Sequence, residues 1–123
     1  MSPEALPQET HQLLVERTQQ PLATQVEVAR SWRARMIGLL GREALPTGQA
    51  LVIPRCDSIH TVGMRFPIDA IFVDQHWRVV KILSALRPGR VPLPAWRAWA
   101  VVEMAVGSAA QAGLRVGDRL LMR

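Results

Sequence analysis

The stretch from Phe66 to Leu83 constrains the fold most. Phe66 to Val73 is strongly apolar, Asp74-Gln75-His76 has the composition of a turn, and Trp77 to Leu83 turns apolar again. Such short runs, rich in β-branched and aromatic residues and split by turn residues, read as two strands of a hairpin.

Other segments follow the same short-strand logic. Leu22 to Arg30 alternates, with Leu22, Thr24, Val26 and Val28 on one side and Gln25 and Glu27 on the other, which predicts a half-buried strand. Ser31 is a candidate N-cap for a helix over Trp32 to Leu40, whose residues Trp32, Met36, Leu39 and Leu40 make one apolar stripe. Gly41 is its expected stop. On that geometry Arg35, Gly38 and Arg42 share another face. Ala50–Ile53, Ala98–Met104 and Val116–Met122 are further expected strands, and Ser108–Ala112 a short helical turn. Pro54–Gly63 has no clear signature, and the prolines of Arg87–Pro94 predict an irregular loop. About six short strands with one or two short helices predict a mostly β (α+β) domain, built as a compact small barrel or sandwich-like sheet.

With 123 residues the chain has one domain's worth of length and needs no disulfide or metal to hold a core. Residues 1–20 are polar and proline-punctuated and read as a loose N-terminal arm, leaving residues 21–123 as a single globular β-rich domain. Cys56 is the lone cysteine, so an internal disulfide is excluded. There is no signal-like start and no apolar run long enough to span a membrane, so a soluble cytoplasmic protein is expected. The net charge of +5 is carried by arginines scattered along the chain, with Lys81 as the sole lysine. Scattered charge without a nucleic-acid motif disfavours that class of partner.

Three blocks carry a resemblance: Arg35 to Arg42, Cys56 to Asp74, and Val102-Glu103-Met104 to Gly107 with Gly113-Leu114 and Gly117-Asp118. Their order and spacing resemble the uncharacterised prokaryotic family catalogued as domain of unknown function 192, over about Val26 to Met122. The middle block is the specific one. The resemblance implies a small, mostly β domain and supplies no activity. Gly107 to Asp118 is also similar to a helix-turn-strand piece of PDZ domains, a generic solution that reads as local convergence.

Six residues are candidates for ligand binding: Arg35, Arg42, Cys56, His60, Asp69 and Glu103. Asp69 lies mid-strand among Pro67, Ile71 and Val73, and a buried carboxylate needs a partner; Arg35 or Arg42 is the expected one. That pair either fixes the helix on the sheet or belongs to a site. Cys56 and His60, four residues apart, are either a thiol and its base or a packed cysteine beside a hydrogen-bonded histidine. A metal site from Cys56, Asp57 and His60 lacks the usual ligand number, and no cofactor is implied. Arg35 and Arg42 around Gly38 either cradle an anion or pair with carboxylates. Trp96 and Trp99 flank Arg97 and either stack on a ligand or cover loop and core. Glu103 shares its phase with Trp99 and Val101, which makes it a second partly buried carboxylate.

These residues favour a small non-catalytic binding or accessory domain, with a polar patch around His60, Asp69, Arg35 and Arg42. The partner is an unidentified small ligand or protein, and a monomer is the expected state. The alternatives are an enzyme using Cys56 and His60, and a nucleic-acid binder using arginines with Trp96 and Trp99.

Overall fold

The computed structural model describes residues 11–31, 37–91 and 93–123. Nine strands follow in chain order: β1 (His11–Val15), β2 (Gln20–Val28), β3 (Gln49–Pro54), β4 (Ser58–Ile59), β5 (Ile68–Val73), β6 (Val79–Leu86), β7 (Leu93–Pro94), β8 (Ala100–Ala105) and β9 (Leu120–Met122). One short helix, α1 (Ser108–Gln111), stands between β8 and β9. The mostly β expectation is met.

Seven strands form one sheet in the order β6-β5-β8-β3-β2-β1-β9, and β4 pairs with β7 in a small second sheet. Only β2 and β3 run parallel; the other pairs are antiparallel. The large sheet curls into a half-barrel. Its two edges touch at one end, where Arg78 bridges Arg119 and the Val79 amide donates to the Asp118 carbonyl at 2.8 Å. Joining the edges there leaves less unpaired backbone exposed.

The expected hairpin is β5–β6, and within it the interior strand β5 is buried more deeply than the edge strand β6. Every residue of β5 is buried, as are four of the six residues of β3 and five of the six of β8. Strands covered on both faces read as continuous apolar runs rather than alternation, which is why these segments stand out in the sequence. Inside the curl Val15, Val52, Ile71, Val102 and Met104 pack together. On the outer face Leu51, Ile53, Phe72 and Val101 pack under Leu39, Leu45, Ile59 and Met64 from the covering loops. Each fully buried side chain of this size contributes about 1.5–3 kcal/mol.

Three expectations are corrected. The arm expected over residues 1–20 is ordered from His11 onward: Leu13, Leu14 and Val15 are buried, and β1 pairs with both β2 and β9. Residues 1–10 lie outside the described residues. In β2 the register shifts against β1, so Leu22 and Ala23 are both buried while Thr24 is exposed. A bulge interrupts the alternation there. The helix expected over Trp32 to Leu40 falls mostly outside the described residues, and it does not reach Leu40. Gly38 takes the left-handed backbone (φ +52°), so helical backbone stops at Ile37 and Leu39 to Gly41 are turns.

Candidate functional site

Segment 56–66 forms one wall over the outer face of β3, β5 and β8, and backbone hydrogen bonds pin it. The Cys56 amide donates to the Trp99 carbonyl at 2.9 Å, and the Ala95 amide donates to the Asp57 carbonyl at 2.8 Å. Thr61, wholly buried, is the main fastener. Its hydroxyl donates to the Arg87 carbonyl at 2.6 Å and accepts from the Arg90 amide at 2.9 Å. Its backbone adds the Gly89 amide to its carbonyl at 2.8 Å. The apparent loop at Arg87–Pro94 is therefore a scaffold for this wall, and the β4–β7 pair extends it.

Beneath the wall lies a pocket of about 80 Å³. Leu39, Ile53, Ile59, Met64 and Val101 line it with apolar surface, and Cys56, Ser58 and His60 stand at its polar side. Glu103 supplies its one carboxylate. The outer face of β8 carries Val101 and Glu103 at alternate positions, and Glu103 is only 3% exposed. Among the described residues its Oε1 has no hydrogen-bond partner. Burial pushes the Glu103 carboxyl up to about 7, with Arg42 pulling the other way through its charge. Gly38 borders the same carboxylate: a Cβ there would stand 3.8 Å from Oε1.

Asp69 is not part of this pocket, and its expected arginine partner is a correction. It sits on the inner face of β5, opposite in facing to Glu103. Its carboxylate accepts three backbone N–H groups: Ala85 at 2.9 Å, Gly107 at 3.1 Å and Ala109 at 3.1 Å. Ala85 stands in a left-handed conformation (φ +52°) where β6 gains one residue against β5. Asp69 thus fastens a bulge and the start of α1. Three good donors satisfy a buried carboxylate without a cation.

The other candidates fall on both sides of this division. Arg42 lies close enough to influence Glu103, but its guanidinium Nη2 binds both Glu27 carboxylate oxygens at 3.1 and 3.2 Å. The Cys56 thiol donates to the Ser58 carbonyl at 2.9 Å, so its proton is committed within its own turn. His60 is exposed at the pocket's polar side. Arg35 lies outside the described residues. Among those described, no three His, Cys, Asp or Glu side chains gather as a metal would require.

Trp96 and Trp99 line a different hollow of about 580 Å³. Trp99 is half-buried and meets Trp77 edge-on, ring centroids 6.4 Å apart, while Trp96 is 87% exposed. Asp57 and Asp74 line the same hollow together with Arg97, so two carboxylates stand against one guanidinium and the hollow carries no excess of positive charge for a phosphate backbone. Thr61, Met64 and Ser58 escaped the sequence reading. Their signal was present only as membership of the densest block, since their roles depend on loops far apart in the chain.

The curled sheet defines the class: a small, mostly β half-barrel domain. The particular family follows from the sequence. The chain belongs to the family DUF192, described as an uncharacterized ACR, which matches residues 13–122. No curated protein matches the chain. The structure is similar to that of a protein of unknown function from Novosphingobium aromaticivorans, with TM-score 0.77 and 26% identity over 90% of this chain and 82% of that one. It is also similar to a protein from Sinorhizobium meliloti proposed in its description to be a transcription regulator, with TM-score 0.78 and 19% identity over 91% of both chains. The second likeness concerns the fold alone. Among the described residues no helix is long and apolar enough to cross a membrane.

Proposed function

We propose that this domain is a non-catalytic binding module that takes one small polar-headed group into the pocket over Glu103. The observation that carries the reading is the buried Glu103 Oε1, without a hydrogen-bond partner among the described residues and facing that pocket. A buried carboxylate with an open valence costs stability, about 1–3 kcal/mol for a neutral group and more when charged. A fold without use for it would be better served by an apolar residue at that position. Small-molecule sites usually enclose roughly 300–1,000 Å³. A pocket of about 80 Å³ instead accepts only the tip of a ligand, whether a small molecule or a side chain of another protein.

The catalytic alternative has less behind it. It needs a thiolate and a base within reach of each other, and the Cys56 thiol proton is engaged by the Ser58 carbonyl. The test is NMR of the full chain against pools of small polar compounds and short peptides. Shifts confined to Gly38, Ser58, Ile59, His60 and Met64 are expected. Shifts elsewhere only, or none, would overturn the reading.

A further inference from the structure

The buried carboxylate of Glu103, its apolar surroundings and the narrow pocket above it point to a ligand class, and we propose that the pocket binds a primary alkylammonium group. This rests on the binding reading above and adds the chemistry of the ligand. Three observations carry it.

First, the open valence belongs to an acceptor. A carboxylate oxygen with no partner among the described residues asks for a donor, and an anionic ligand would meet like charge. Second, the donor must compensate charge as well as fill a hydrogen bond. Glu103 is 3% exposed and, unlike Asp69, has no set of backbone amides on its Oε1 among the described residues, so a single incoming group must supply charge as well as a hydrogen bond. Arg42 has its guanidinium on Glu27 instead. Third, the walls fit a stem. Leu39, Ile53, Ile59, Met64 and Val101 present methyl, methylene and thioether surface up to the carboxylate. An ammonium on an aliphatic chain matches that gradient from apolar wall to charged floor. Its volume also suits about 80 Å³, whereas a planar guanidinium with five donors would leave most of them unmatched. The remaining ammonium protons face Ser58, His60 and water on the polar side.

Among the described residues Arg42 acts on Glu103 through its charge, and His60 and Cys56 are the other titratable groups that line its pocket. Only ionised Glu103 neutralises the ligand, so binding strengthens as pH rises towards 8.

The source of the ammonium is left to the experiment, which titrates the full chain at pH 8 and follows pocket amides by NMR. The probes are butylamine, Nα-acetyl-lysine amide, butyramide, butanol and butyrate. Saturable shifts at Gly38, Ser58 and His60 are expected with butylamine, at least about tenfold weaker with butyramide, and absent with butyrate. Tighter binding of the lysine derivative would assign the site to a protein side chain; tighter butylamine would assign it to a free amine. Affinity for butylamine is expected to fall at least about tenfold from pH 8 to pH 5. Glu103→Gln keeps the shape and should abolish the amine response. If that variant fails to fold, the pH profile of the unaltered chain decides alone. Equal shifts from butyramide or butanol would overturn the ammonium class and leave the pocket reading standing. No pocket shift from any probe would overturn both.

Discussion

Asp69 and Glu103 lie on neighbouring strands within one step of register, and they meet opposite fates. In the β5–β8 pairing Asp69 faces Met104 and Ala70 faces Glu103. Since side chains alternate, the two carboxylates point to opposite faces of the sheet. On the inner face Asp69 collects three backbone donors from a bulge and a helix start. On the outer face Glu103 Oε1 finds none among the described residues. Both interrupt apolar runs, and the sequence marks both as unusual. Only the partners distinguish a carboxylate tied into the fold from one left with an open acceptor.

The largest expected effect lies on the Asp69 side. Asp69→Ala should cost about 3–5 kcal/mol in chemical denaturation, because it strands buried amides at Ala85, Gly107 and Ala109. A loss under about 1 kcal/mol would mean that these amides find water, and the contrast with Glu103 would collapse.

Glu103 should behave the opposite way. Its folded-state pKa of about 7 lies above the ordinary 4.5, so the folded chain holds its proton where the unfolded chain has lost it. Stability contributed by that proton is full below the ordinary value and is lost as pH rises through about 7. The decline amounts to about 3 kcal/mol across the window, with the opposing charge of Arg42 already contained in the value of about 7. Glu103→Gln should flatten this decline and leave the variant more stable than the parent at pH 8. Thermal denaturation at a series of pH values reads both effects.

A smaller change is expected at the glycine that borders Glu103. Gly38→Ala should cost about 1–2 kcal/mol, chiefly because alanine resists a φ of +52°. The added Cβ would meet Ile53 at 3.7 Å, which is ordinary contact, so a cost above about 3 kcal/mol would show that the pocket is tighter than described.

The smallest effect concerns the Arg17–Asp118 pair, where the two edges of the sheet meet. The hydrogen bond from Arg17 holds Asp118 below the usual carboxylate range, against burial, which acts the other way. The stabilising ionised form of Asp118 is present above its ordinary pKa and is lost as pH falls through the lowered one. Asp118→Asn should therefore weaken the acid limb of the stability curve while the limb near pH 7 keeps its shape. A changed neutral limb would mean that Glu103 is not its source.

The strands were legible wherever burial on both faces writes a continuous apolar run, as in β3, β5 and β8. β1 was not. Leu13 to Val15 is a short apolar piece among polar residues, and half its justification is β9 at the other end of the chain. Pairings that distant leave no local signature. The helix end is not legible because two glycines compete for the stop, and the left-handed backbone that decides between them belongs to Gly38 as well as Gly41. For the site, the phase of Glu103 with Val101 was legible, and so was the oddity of Asp69. Their partners were not. Backbone amides from a bulge carry no sequence pattern, whereas an arginine is visible in the sequence as a partner for Asp69. His60, Cys56 and Glu103 do line one pocket, while Asp69 belongs to the other face.

The most direct test is the titration of Glu103 itself, followed through its side-chain carboxyl carbon in selectively labelled, ligand-free protein. The account predicts a midpoint near 7 that drops when butylamine is added. A carboxyl already ionised at pH 5 without ligand would contradict it, because Glu103 would then have its cation within this chain.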